Sequence, residues 1–176
     1  MEHKSFETDR LLIRPVQESD AGFIYELMNS DAWIKNIGDR NIHTEEDALS
    51  YIKTKMFPQM ERLGYGNYTI VLKESNSCIG TCGLYDRAGL KGIDIGFALL
   101  PSYMRKGYGY EAARRILEAA FTDFDIKEIQ GITLEENLAS RKLLEKLGLS
   151  LSGTTRIPND EEELLLYQIN NPHDYH

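Results

Sequence analysis

The sequence predicts a single α/β domain, a central and mostly antiparallel mixed sheet with helices on both faces. Three observations carry this. Three strand-like segments follow one another with short, turn-rich connections, Glu74–Ser77 and Asp86–Gly89. A helix with an alanine-rich buried stripe comes next, opened by Gly107-Tyr-Gly109. A strand, a second amphipathic helix and a final hairpin close the chain. The length of 176 residues suits one core. We assign the domain to residues 1–170 and a polar, untethered tail to 171–176.

Taken in order, Arg10-Leu-Leu-Ile-Arg-Pro15 reads as a first strand stopped by proline. Ser19 or Asp20 can cap a helix with Phe23, Ile24, Leu27 and Met28 on one face. Thr44-Glu-Glu-Asp47 has the form of a capping box and starts a longer helix to about Leu63, with Pro58 placed to kink it. The meander follows at Tyr68–Lys73, Cys78–Tyr85 and Gly92–Leu100, ended by Pro101. The helix after Gly107 buries Ala112, Ala113, Ile116, Leu117, Ala120 and Phe121. Glu128–Thr133 is a short strand, and residues 138–147 form a helix stopped by Gly148. Leu149–Ile157 and Glu163–Ile169 form the closing hairpin around Pro158-Asn-Asp160.

Composition excludes several classes. Hydrophobic residues make up 41% and charged residues 27%, the balance of a soluble globule. A formal net charge of −8 argues against nucleic-acid binding, where Lys and Arg must replace phosphate counterions. It weakly favours a cationic partner. Cys78 and Cys82, four residues apart on one strand, would lie about 13 Å apart, too far for a disulfide. Free thiols fit a reducing compartment, and no His or Cys partner stands at metal-ligand spacing, so no metal is expected. The N-terminus has no apolar core of a signal peptide, and no run approaches a membrane span, so a cytoplasmic location without membrane contact is expected.

The first chemical signal is Met104-Arg-Lys-Gly-Tyr-Gly109. Two glycines let the backbone approach a ligand, and the helix starting there offers unpaired N–H groups and the positive end of its dipole. Arg105 and Lys106 add charge at the rim of this pyrophosphate-type site. Gly107-x-Gly109-x-x-Ala112 also fits a dinucleotide fingerprint, but Pro101–Met104 separate it from its strand and four candidate strands precede it. There is no Gly-Lys-Ser/Thr of a Walker loop. A glycine turn that binds nothing is the bland alternative.

The second signal is Glu136-Asn-Leu-Ala-Ser-Arg-Lys-Leu-Leu-Glu-Lys-Leu-Gly-Leu149, which alone reads as a capped amphipathic helix. Together with the glycine loop it resembles the GNAT acetyltransferase superfamily, and more narrowly its RimJ/RimL-type ribosomal-protein N-acetyltransferase branch. Glu7-Thr-Asp-Arg-Leu-Leu-Ile-Arg-Pro15, Glu18-x-Asp-Ala21 and Ile95-Gly-Phe-Ala-Leu99 extend the resemblance from about Glu7 to Ile169. It implies a GNAT fold, acetyl-CoA as cosubstrate and a primary amine as acceptor, either a protein N-terminus or a small molecule. It implies that Phe97, Ala98 and Leu99 meet the pantetheine arm with backbone groups, and that Met104, Arg105, Lys106, Gly107, Tyr108, Gly109 and Tyr110 cradle the diphosphate. Asn137 would bind or order the cofactor near its thiol. A homodimer is also suggested by the resemblance. Met104 stands where the family often has Gln or Arg, and Leu144 where many members carry a general-acid Tyr.

The implied reaction is attack of a neutral amine on the acetyl thioester. Asp94, aligned with the acid of the family's Glu-Ile-Gly pattern, is the candidate base. Ser140 is the candidate donor to the departing thiolate, and backbone N–H groups near Phe97–Leu99 the oxyanion stabilisers. Trp33, Ile34 and Gly38–Asn41 fall where the family varies its acceptor site. Two rival readings are a non-catalytic acyl-CoA sensor and a nicotinamide-dependent oxidoreductase.

Overall fold

A computed structural model describes residues 2–158 and 160–174. Strands β1 (Phe6–Glu7), β2 (Leu11–Pro15), β3 (Asn67–Leu72), β4 (Ser77–Asp86), β5 (Ile93–Leu99), β6 (Glu128–Thr133), β7 (Ser150–Thr155) and β8 (Leu164–Asn170) form one sheet. Its order is β1-β2-β3-β4-β5-β6-β8-β7, antiparallel except where β5 meets β6. The sheet is therefore the mixed, mostly antiparallel one that the turn-rich connections predict.

Among the described residues six α-helices cover it: α1 (Ala21–Met28), α2 (Asp31–Asn36), α3 (Glu45–Tyr51), α4 (Phe57–Leu63), α5 (Tyr108–Thr122) and α6 (Leu138–Lys146). The alanine stripe of α5 does what small side chains permit and lets the helix lie close on the sheet. Ala112, Ala113, Ile116 and Ala120 are buried with Leu84, Ile95 and Ile129 in the main core. Alternation along β2 puts Leu11 and Ile13 in that core and Arg14 on the opposite face. There Asp20, at the head of α1, receives Arg14. A second cluster joins Val16, Ile24, Met28, Ile42, Ala48, Ile52 and Met56, packing α1 on α3.

The long helix expected from Thr44 to Leu63 begins as read. Thr44 accepts from the Asp47 N–H, and the Asp47 carboxylate accepts in return from Thr44. A π-helical turn at Ile52–Met56 interrupts it, and α4 then starts with Pro58 in its first turn. The widened turn takes up the clash a proline makes with the carbonyl four residues back. The short α2 was not legible; Ser30 caps it by accepting from the Trp33 N–H. Cys78 and Cys82 are free.

The C-terminal segment starts pinned rather than loose. Asn171 is buried, and its side-chain amide donates to the carbonyls of Phe121 and Ile126. Of the hairpin turn Pro158-Asn-Asp160 and of the tail, Asn159, Tyr175 and His176 lie outside the described residues. Among the described residues no helix is long and apolar enough to cross a membrane.

Candidate active site

The sheet opens between β5 and β6. These strands pair only at Ile93–Ile129 and Asp94–Gln130. Beyond that point β5 runs on with β4 to Leu99–Gly80, while β6 runs on with β8 to Thr133–Leu165. The two strands part, and a cleft follows Ile95–Leu99. The Leu100 N–H donates to the Ile79 carbonyl at 2.8 Å, and the Ala98 carbonyl faces Gly80. Strand alternation then turns the N–H and C=O of Phe97 and Leu99 into the cleft. Those of Ala98 point to β4, so of the three residues expected to offer backbone groups, geometry leaves Phe97 and Leu99.

The glycine loop lies at the end of this strand. A turn at Pro101–Tyr103 leads to Met104, which is extended, and to Arg105, whose φ of 63° is left-handed. Gly107 caps α5 with φ 84°, a conformation that glycine adopts without strain. The first helical bond here is from the Glu111 N–H to the Gly107 carbonyl. The N–H groups of Arg105, Lys106, Gly107, Tyr108, Gly109 and Tyr110 have no acceptor among the described residues. Six donors at a positive helix end form an anion cradle. The Arg105 and Lys106 side chains are exposed at its rim.

Arg10 braces this loop, a role its sequence position did not signal. Its guanidinium donates to the Lys106 carbonyl at 3.1 Å and to Glu111 Oε1 at 2.8 Å, and it lies 4.3 Å from the Tyr108 ring centre. Burial pushes the Glu111 carboxyl up, but hydrogen bonds from Thr8 and Arg10 outweigh it and hold the group below its ordinary value. The partners are about a hundred residues apart in sequence, which is why no local pattern shows them.

Gly109 joins three elements. A Cβ on it would sit 3.4 Å from Leu143 Cδ1 of α6 and 3.5 Å from Leu99 Cδ1 of β5. At the head of α6, Asn137 Oδ1 accepts from the Ser140 N–H at 3.2 Å. That bond fixes the helix start and leaves the Asn137 amide and the Ser140 hydroxyl without partners among the described residues. Leu144, at the position of the family tyrosine, is buried on Gly131.

Asp94 is placed differently from a free base. Its side chain is 1% exposed, and Arg87 grips both oxygens, Nε on Oδ1 at 3.1 Å and Nη2 on Oδ2 at 3.3 Å. Burial pushes its carboxyl up, and Arg87 offsets this only in part. The Arg87 guanidinium also lies 5.1 Å from the Tyr85 ring centre and is 32% exposed. Arg87 lines a cavity of about 570 Å³. The other walls come from Ile34–Arg40, the end of α2 and the loop after it, Leu134 after β6, and the β7–β8 connection. Ile34 and Gly38–Arg40 thus face a cavity, whereas Trp33 packs against the second core.

The family model for the acetyltransferase (GNAT) domain matches residues 10–150. The chain belongs to the GNAT acetyltransferase family. It is 30% identical over 146 residues to the uncharacterized N-acetyltransferase YnaD of Bacillus subtilis, covering 83% of this chain and 82% of that protein. With YoaA of the same organism, also named an uncharacterized N-acetyltransferase, identity is 27% over 169 residues, 96% and 91% of the two chains. A GNAT-family acetyltransferase from Bacillus anthracis superposes with a TM-score of 0.78 at 26% identity over 96% of this chain and 99% of that one. RimL, described as a ribosomal L7/L12 α-N-protein acetyltransferase in complex with coenzyme A, shares the fold at TM-score 0.82 and 17% identity, over 97% and 100%. The GNAT match contains the cleft, the loop, Asn137 and Ser140, but it ends before the β7–β8 wall of the cavity.

Proposed function

We propose that this acetyltransferase moves the acetyl group of acetyl-CoA directly to a primary amine held in the cavity beside Arg87. The observation that carries the reading is the opened sheet. A strand with unpaired backbone groups at Phe97 and Leu99 leads straight into six unpaired N–H donors at a glycine-capped helix. An extended amide-bearing arm ending in a diphosphate matches both halves, the arm as an added strand and the diphosphate on the cradle.

Acetyl-CoA, when bound, supplies the activated thioester. The chain's own groups then divide the work. Gly107 admits the diphosphate because no Cβ stands there, and Arg10 holds the loop in shape. A cleft-facing N–H of Phe97 or Leu99 that the arm leaves free stabilises the oxyanion. The Ser140 hydroxyl donates to the departing sulfur, with Asn137 fixing the turn that carries it. Asp94 acts through Arg87 as a positioning residue, since both of its oxygens are already engaged. The amine's proton then passes to water in the open cavity.

The test is thiol release from acetyl-CoA against a panel of peptides and small amines, with calorimetry of acetyl-CoA binding beside it. Tight binding with release in the presence of one amine class is the expected result. Binding without release from any amine would convert the reading to that of an acyl-CoA sensor, and absence of binding would sink it.

A further inference from the structure

The cavity has a charge pattern that the overall acidity does not predict. The chain carries a net charge of −8, yet the lining holds three cations, Lys35, Arg40 and Arg87, against three acids. Arg87 is the fixed one. Asp94 takes its Nε and Nη2, and the Tyr85 ring lies under the guanidinium, so most of the entropy of ordering the side chain is already spent. Nη1 is left without a partner among the described residues, and Arg87, 32% exposed, lines the cavity. The ion pair is a dipole whose buried end is the carboxylate and whose cavity end is positive. Lys35 and Arg40 reach the same space from another wall and have no acidic partner among the described residues. Gly38, which has no side chain, keeps the approach to Arg40 open.

A preorganised guanidinium with a spare donor binds a carboxylate well. A polyamine would find the acids Asp39, Asp160 and Glu162 in this lining, but it would also meet the cations Lys35, Arg40 and Arg87, and only Arg87 is held rigid by a buried partner. A volume of about 570 Å³ lies within the usual range for a small-molecule site. We infer that the acceptor is a primary amine that also carries a carboxylate, with Arg87 as the residue that binds the carboxylate and Arg40 as its auxiliary cation. This rests on the acetyltransferase reading above and names its substrate class. Amino acids and short peptides with an acidic residue near the amino terminus both supply that chemistry.

The experiment pairs each carboxylate with its own carboxamide. Amino acids, ω-amino acids and acidic-start dipeptides are assayed by thiol release beside their amides, with spermidine as the polycationic control. The same compounds are titrated calorimetrically into the CoA-bound protein, which reads binding without turnover. The carboxylates are expected to have KM values about 10–100-fold below those of their amides, the value of a charge-assisted bond. The dipeptide and amino-acid arms show which source fits. Arg87→Gln should lower kcat/KM for the carboxylates much more than for the amides, and so abolish this preference. Because Arg87→Gln strips Asp94 of its partner, Arg40→Gln is the second variant; it leaves that pair intact and should reduce the preference about 2–5-fold. Equal use of carboxylates and amides, preference for spermidine, or equal losses on both acceptor series in Arg87→Gln would each overturn the inference. Carboxylate binding without acetylation would instead uphold the anion site and remove the transfer reaction.

Discussion

Asp20 and Asp94 are both buried carboxylates gripped by an arginine through two hydrogen bonds, yet they titrate in opposite directions. At Asp20 burial also pushes the carboxyl up, but the bonds outweigh it. Arg14 donates twice at 2.8 Å, the Gln17 N–H at 2.9 Å and the Thr69 hydroxyl at 2.8 Å. The carboxyl is held below its ordinary value. Asp94 has Arg87 at 3.1 and 3.3 Å, and burial prevails. The arginines differ as well: Arg14 is 19% exposed and ties β2 to α1, while Arg87 is 32% exposed and looks into the cavity. A pair closed on all sides holds a fold together. A pair with an open side and an uncompensated burial cost belongs to a site, where perturbed carboxylates collect.

The comparison is tested most strongly at the closed pair. Asp20→Asn removes the charge that three elements share, and it should cost about 3–5 kcal/mol in a urea melt, as breaking a buried pair does. Turnover per folded molecule should stay parental. A cost below 1 kcal/mol would make the two pairs equivalent. Next comes the cleft. Ser140→Ala should lower kcat about 10–150-fold, the value of one charge-assisted hydrogen bond, with stability changed by under about 0.5 kcal/mol. Parental turnover would return Ser140 to a plain helix residue.

Gly107→Ala forces a Cβ into φ 84° and to 3.3 Å from Arg10 Nη2. The strain of about 1–2 kcal/mol should weaken acetyl-CoA binding roughly tenfold by calorimetry. Asp94→Asn should cost far less stability than Asp20→Asn, about 1 kcal/mol, because a burial cost disappears with the bonds. Its KM for the acceptor should rise more than kcat falls. A loss of 10²–10⁴ in kcat that shrinks at high pH would instead restore Asp94 as the base.

The two acids also set opposite pH trends. Stability from Asp20 is present above the ordinary aspartate value of about 3.9 and is lost as pH falls through its depressed value. For Asp94 the folded state holds its proton longer, so its contribution falls as pH rises from about 3.9 through the raised value. Acid unfolding should therefore be blunted in Asp20→Asn and left in place in Asp94→Asn. The reverse order would contradict the assignment.

Much of the sheet was legible because its signals are local. The turn-rich connections set the meander, and the alanine stripe set the face of α5. The glycine loop was legible for the same reason, since a left-handed cap and a helix start lie within four residues. The parting of β5 from β6 was not, because it depends on β8 entering beside β6 from the far end of the chain. Arg10 with Glu111 and Arg87 with Asp94 were missed for a related reason: an ion pair across strands or loops leaves no periodicity. Ala98 cannot be told from its neighbours in the sequence, because the sequence does not show on which side β4 lies.

The most direct test is an amide NMR titration of the labelled protein with acetyl-CoA. The cleft should respond and the closed pair should not. The N–H signals of Phe97, Leu99 and Gly107–Tyr110 should shift strongly, while those of Ala98, bonded to β4, and Gln17, bonded to Asp20, should move little. Large shifts around Gln17 and Thr69 with an unmoved loop would place the cofactor elsewhere and contradict the account.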